Sequence, residues 1–356
     1  MRKVLMVVVA MALVSPAGLA ATPQSRTVDR SRDEQRSVER GREQQRTVER
    51  NREQRRRDNR VEEVERTTRT LNIGADGEIN VSNISGDMVV TRGGGNSATV
   101  EIIKTARAET AEDAKMLLGM VSVDVMERGP RAEIKTRYPS EDDQRRRGRR
   151  NMHVDVDFNI TVPPQTRVVL HSISGNLTVR DVAGAIALDT ISGNIKLANT
   201  GRVATAKTIS GNVEMADTTV DGTLTANSIS GTVAIRKIKA RGLNLSTVSG
   251  NIEVEDVTSE RVDGQSVSGD VRFMGELQDN GRYEFTSHSG NVRLALGGKS
   301  GFQLEATSFS GNIQTDFPLT LEGGRRGGRS LRGRHGSGSA ILDLTSFSGS
   351  IIITKR

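Results

Sequence analysis

The chain of 356 residues contains no cysteine and no tryptophan, and only 3% of its residues are aromatic. Without cysteine there is no disulfide, no thiolate nucleophile, no cysteine-based zinc site, and no lipidated cysteine of the bacterial lipoprotein kind. With so few rings, a broad core cannot be filled. The apolar residues are mostly Val, Ile, Leu and Ala, which suit strands that stack thinly and repetitively. Proline is nearly missing from the second half, where only Pro318 follows residue 164, so strand ladders there can run uninterrupted. After the first 20 residues no long apolar stretch occurs, which leaves the mature chain without a transmembrane span.

What is present is glycine, 37 residues of it, and arginine. The formal charge is 51 − 44 = +7, and the excess favours contact with something anionic. Arg2 and Lys3, the apolar run Val4 to Val14 and the small residues at Gly18-Leu19-Ala20 form a secretory signal, with cleavage expected after Ala20. Export to the periplasm or the cell surface follows. Residues 21–69 form an Arg-rich low-complexity linker. Its period of ten places Val28, Val38 and Val48 at successive rotations of about 280° on a helix, so they line no seam and no coiled coil results. The arm is expected to be disordered, most of its arginines being neutralised by acidic neighbours.

The ordered domain is expected over residues 70–356. Thr110 followed by Ala, Glu and Asp marks a helix start, before Met116, Leu117 and Leu118. The strand Val154 to Val162 alternates strictly, with Asp155 and Asp157 on the face read as solvated.

Thereafter one repeat governs the chain. Its glycines are Gly175, Gly193, Gly211, Gly231, Gly250, Gly269, Gly290, Gly311 and Gly349, with Gly86 upstream. Successive spacings run from 18 to 21 residues, except a last gap of 38 that holds an Arg- and Gly-rich insertion at 323–338. Ser precedes every one of these glycines. Three before is Ser or Thr, except Asn83; two before is apolar, except His288; one after is most often Asn. Apolar residues recur five and seven before and two and four after. Each repeat therefore reads as strand, tight turn, strand, with the Gly-Asn pair supplying the positive φ that the turn demands. The constant spacing predicts an all-β, single-domain β-solenoid of coils of about 19 residues with one short helix, in preference to a meander of hairpins. The apolar residue two before each glycine is out of phase with its neighbours: either a bulge turns it inward, or it forms an outward stripe that something covers.

The runs Thr190-Ile191-Ser192-Gly193-Asn194-Ile195, Thr247-Val248-Ser249-Gly250-Asn251-Ile252 and Ser346-Phe347-Ser348-Gly349-Ser350-Ile351 resemble the bacterial candidate-adhesin family, a domain of unknown function related to the toast-rack domains of envelope-stress proteins. The resemblance covers roughly residues 70–356 and leaves the Arg-rich segment outside. It implies a β-solenoid and an extracytoplasmic location, and carries no catalytic or ligand residues.

No catalytic or metal-binding constellation emerges. His153, His171, His288 and His335 have no partners at metal-ligand spacing, the repeated serines belong to the turn code, and no cofactor is implied. The Ser/Thr-x-Ser code offers two hydroxyl rows that could meet a glycan or ice, but such hydroxyls more often bond neighbouring backbone and hold a bend. The candidate contacts to an anionic partner are Arg145, Arg146, Arg147, Arg149 and Arg150 in one loop, and Arg325, Arg326, Arg329, Arg332 and Arg334 in the insertion, whose glycines make it mobile and whose charge only Glu322 opposes. Anionic glycan, lipid headgroups or an envelope protein fit such arginines; nucleic acid does not fit an exported chain. Function is thus read as a structural or adhesive envelope protein, then as an envelope-stress or signalling accessory, and last as a carbohydrate-active β-helix enzyme.

Overall fold

Strict alternation of apolar and polar residues sends one side of each strand inward, and the positions seven and five before each glycine, with those two and four after, form the core. Val168, Leu170, Leu177 and Val179 of one repeat are fully buried, and Ile186, Leu188, Ile195 and Leu197 of the next almost so. The computed structural model describes residues 60–139, 154–297, 301–321 and 330–356. The signal, most of the Arg-rich arm, and Arg145, Arg146, Arg147, Arg149, Arg150, Arg325, Arg326 and Arg329 lie outside the described residues. Val61–Arg356 is one mostly-β unit, with a single helix among the described residues, α1 (Ala111–Met120). The Thr110 hydroxyl caps α1 by accepting from the Asp113 N–H at 3.1 Å, and Leu117 and Leu118 are buried beneath it.

The described strands form two sheets, of 13 and 14 strands. The strand before each glycine belongs to the larger sheet and the strand after it to the smaller. Within 167–296 each strand pairs in parallel with its counterpart in the next repeat: Ile186 with Val168 and Ser192 with Ser174 in one sheet, Ile195 with Leu177 in the other. No described hairpin is centred on a repeat glycine. Antiparallel strands close both ends. Val61–Leu71 pairs with Ala98–Ala108, which pairs with Val154–Val162, and Ser330–His335 lies antiparallel to Phe302–Ser308. Two expectations change here. Residues 61–69, assigned to the linker, belong to an eleven-residue strand. Residues 330–335, assigned to a mobile insertion, are a strand of the larger sheet.

Repeat order is not chain order at the C-terminus. Ala340–Ser346 lies between Arg282–Ser289 and Phe302–Ser308, and Ile351–Lys355 lies between Val292–Leu296 and Ile313–Thr315. The last repeat thus fills a slot between the two before it.

Positive φ, the expected reason for the glycine, is found at Gly86, Gly175, Gly211, Gly231 and Gly269 but not at Gly193, Gly250, Gly290, Gly311 and Gly349, so turn conformation is not what unites the row. Common to all ten is the neighbouring strand: a Cβ on any of them would lie 1.9–2.3 Å from a backbone carbonyl oxygen, nearly always that of the next glycine in the stack. Only a hydrogen fits there. The left-handed corner lies elsewhere, six residues after the glycine, at Asp181, Asn199, Asp217, Lys237 and Asp256, with φ of 50–61°. Four of the five are Asp or Asn, the non-glycine residues that tolerate this conformation best.

Candidate functional site

Two rows of polar side chains tie the stack together. Three before the glycine the hydroxyl points inward and donates to the glycine carbonyl of the adjacent repeat: Ser228 to Gly211 at 2.8 Å, Thr247 to Gly231 at 3.0 Å, Ser266 to Gly250 at 3.0 Å, Ser287 to Gly269 at 2.9 Å. Asn83, the exception in the row, does the same work with Nδ2, donating to the Val156 carbonyl at 2.7 Å. Ser172 and Thr190 are buried without a hydrogen-bond partner among the described residues. One after the glycine, each Asn or Asp side-chain oxygen except that of Asn312 accepts the backbone N–H of the next strand in the stack: Asn176 from Asn194, Asn194 from Asn212, Asn212 from Thr232, at 2.8–3.0 Å. Asn recurs as a ladder of acceptors, not as a turn former. Each such bond contributes about 1 kcal/mol net. Because positions three and one before the glycine differ in exposure, one hydroxyl row is buried and only one is exposed. The inner row thus bonds neighbouring backbone, as preferred for such hydroxyls, and two outward rows that could meet a glycan or ice are not formed.

Asp155 and Asp157 lie on the outer, partly exposed face of their strand, as expected, but are not merely solvated. Asp155 accepts from the Ser85 hydroxyl at 2.6 Å and Asp157 from the Asp87 N–H at 2.7 Å, continuing the acceptor ladder onto the capping strand. Burial and the nearby Asp87 and Asp155 carboxylates push the Asp157 carboxyl up. Asp270 goes the other way. Burial raises it, but hydrogen bonds from the Asn291 backbone, Arg293 and the Asn291 side chain outweigh this and hold it below the ordinary range. A depressed carboxyl stabilises the fold above its unfolded pKa of about 3.9 and loses that contribution as pH falls through the folded value. Asp270→Asn keeps the acceptor and removes the titration. Its melting temperature is therefore expected to fall less steeply than wild type below about pH 4, measured by thermal scans across pH.

The residue two before each glycine settles the open question of its direction: it faces outward. Ile84, Ile173, Ile191, Ile209 and Ile229 are 39–50% exposed, followed by Val248 and Val267. His288 then stacks on Phe347, and Phe347 on Phe309, both at 4.7 Å between ring centres. Strand order makes these ten one continuous row. An open groove of about 560 Å³ runs beside its middle, lined by Ile209, Ile229, Val248 and Val267 with Lys207 and Gln265. The outward face of the smaller sheet differs in kind: cross-strand ion pairs cover it, among them Lys196 with Glu214 and Arg236 with Glu255.

No described group of three or more His, Asp or Glu could hold a metal. Ser82, His171 and Asp189 share one register position on adjacent strands, yet no hydrogen bond joins them, so no proton relay is assembled. Of the arginines singled out, Arg332 is paired with Glu305 across the antiparallel ladder, against the expectation that only Glu322 opposes the insertion's charge. Arg334 shares that strand. No described helix is long and apolar enough to cross a membrane.

A family model for the Toastrack DUF4097 domain matches residues 26–354. The chain belongs to that family. The match of this toast-rack chain begins inside the Arg-rich segment, which was expected to lie outside it. No curated protein sequence matches the chain. Among solved structures, a candidate adhesin of Bacteroides fragilis is 14% identical, with 82% of this toast-rack chain and 97% of that chain covered and a TM-score of 0.41. A candidate lipid-binding protein of Parabacteroides distasonis is 12% identical, with 82% and 96% covered and a TM-score of 0.43. A candidate adhesin of Parabacteroides merdae is also 12% identical, with 82% and 96% covered and a TM-score of 0.42.

Proposed function

We propose that the chain is an exported, non-enzymatic envelope protein: a β-solenoid serving as a structural or adhesive element, with arginine clusters that contact anionic envelope polymers. The observation that carries the first part is the fate of the repeated polar groups. The hydroxyl and Asx rows bond along the stack, across 15 to 21 residues within the regular repeats. A code used up in holding one strand to the next belongs to a scaffold, and parallel pairing between successive repeats supports the solenoid reading. Membership of the toast-rack family supports it further.

The contact role rests on Arg145, Arg146, Arg147, Arg149 and Arg150 and on Arg325, Arg326 and Arg329; Arg332 and Arg334 are left out because they lie on the strand Ser330–His335, where Glu305 holds Arg332. The test is co-sedimentation of residues 21–356 with phosphatidylglycerol vesicles and with an anionic glycan, beside a variant with these eight arginines changed to Gln. Salt-sensitive binding weakened at least about tenfold in the variant is expected, since each basic residue near an anionic surface contributes on the order of 1 kcal/mol. Equal binding by the two proteins removes the arginines from the function. Substitution is preferred to deleting 323–338, which would take out the strand Ser330–His335.

A further inference from the structure

We propose that the outward apolar row on the larger sheet is the interface for a second copy of this chain, the two rows lying face to face and antiparallel. Ten strands at about 4.8 Å make the row roughly 43 Å long. Nine of its ten positions are apolar side chains about half exposed, together on the order of 800 Å², which is what each partner buries in a standard interface and more than a monomer ordinarily leaves uncovered.

The chemistry beside the row selects the occupant. Phe309 and Phe347 stack within 2° of parallel, and His288 and Phe347 within 9°, so the middle ring, Phe347, spends both faces on its neighbours. Sugars dock on ring faces, and this middle ring offers none. An anionic headgroup needs cations, and within the flanking row four before the glycine the charged residues Asp189 and Lys207 sit side by side, followed by Asn227, Ser246, Gln265 and Thr286. What remains is a straight, neutral, evenly spaced apolar ladder. Its best geometric match is a surface of the same spacing, and another copy supplies one. A two-fold axis crossing the row near Ile229 and Val248 overlaps its whole length. It sets Asp189 and Lys207 of each copy against the neutral half of the other's flanking row, so no like charges meet.

The test is sedimentation equilibrium of residues 21–356 from about 1 to 100 µM, a range that brackets the affinity expected of such an area. Wild type is expected to dimerise within it. Ile209→Lys with Val248→Lys, both exposed and therefore compatible with the fold, should raise the dissociation constant at least about 100-fold. Ala234→Lys, on the charged face of the smaller sheet, should leave it unchanged. Since the chain has no cysteine, Ile229→Cys provides a single thiol near the axis, and oxidation should link two copies there, whereas Lys196→Cys should not. Wild type that stays monomeric overturns the proposal, and binding to phosphatidylcholine vesicles in that case assigns the row to lipid. A Lys variant that dimerises as well as wild type, or a dimer that the Ile229 thiol does not link, overturns it equally.

Discussion

Gly250→Ala is expected to destabilise the protein by about 3–5 kcal/mol, among the largest effects a single methyl group can have. The added Cβ would sit 2.1 Å from the Gly231 carbonyl oxygen. That oxygen is backbone, fixed by its own strand and by the hydroxyl of Thr247, which donates to it at 3.0 Å. Relief requires two strands to separate, and the separation is felt by every ladder bond beside them. Gly250 discriminates between two accounts of the row because it does not have left-handed φ. If turn conformation explained the glycine, alanine would be accepted there without cost, and would even stabilise by up to about 1 kcal/mol. Gly222→Ala is the reference: its Cβ meets nothing within 4 Å, and a change within about 0.5 kcal/mol is expected. Urea denaturation of the three proteins decides the matter, and similar midpoints for Gly250→Ala and Gly222→Ala would sink the stacking account.

Phe285→Ala should cost a similar 3–5 kcal/mol, for the opposite reason, a void. Phe285 is fully buried, with its ring centre 5.5 Å from that of Phe273. It fills space that its register partner leaves vacant: Gly264 stands opposite Phe285, and a Cβ there would come within 2.8 Å of the Phe285 ring. Elsewhere in the same row Leu188 and Ala206 meet, as do Ala226 and Leu245, so the inner layer varies in size from neighbour to neighbour. The two sites must then be coupled. Gly264→Ala alone overpacks the layer at about 1–3 kcal/mol. In a Phe285→Leu background the same methyl should cost less than half as much, a double-mutant coupling of about 1 kcal/mol. Strict additivity of the two changes would show that the ring and the glycine do not share one space.

Much of the fold was legible because parity is a local property. Val168 and Leu170 point inward because they fall on alternate positions of one strand, and counting from the glycine was enough to see it. The cap at Thr110 was equally local. What could not be read depends on which backbone lies next door. A glycine that admits a neighbouring carbonyl and a glycine that supplies positive φ look identical in one dimension, and the row was assigned a reason that only half of it shares. The Asn after it was misread with it, because a long-range acceptor and a turn former are the same residue. One signal was available and missed: Asp181, Asn199, Asp217 and Asp256 recur six after the glycine and mark the true left-handed corner. The pairing of Arg332 with Glu305 needed the antiparallel return of Ser330–His335, which a Gly- and Arg-rich composition hides. Of the candidate site, the apolar row was visible as a periodicity; its direction, and the stacking of His288 on Phe347, required the sheet.

The slot filled by the final repeat sets a rule for how this molecule can be completed. Phe302–Ser308 has two neighbours, Ala340–Ser346 and Ser330–His335, and Ile313–Thr315 has one, Ile351–Lys355. Chain that emerges from the N-terminus onward must therefore hold a gap one strand wide, with unpaired N–H and C=O groups on both lips, until Ala340–Ser346 and Ile351–Lys355 arrive. This last pair of strands acts as a keystone. Trimming it would not shorten the stack from its end; it would cut the penultimate repeat loose from everything made before it.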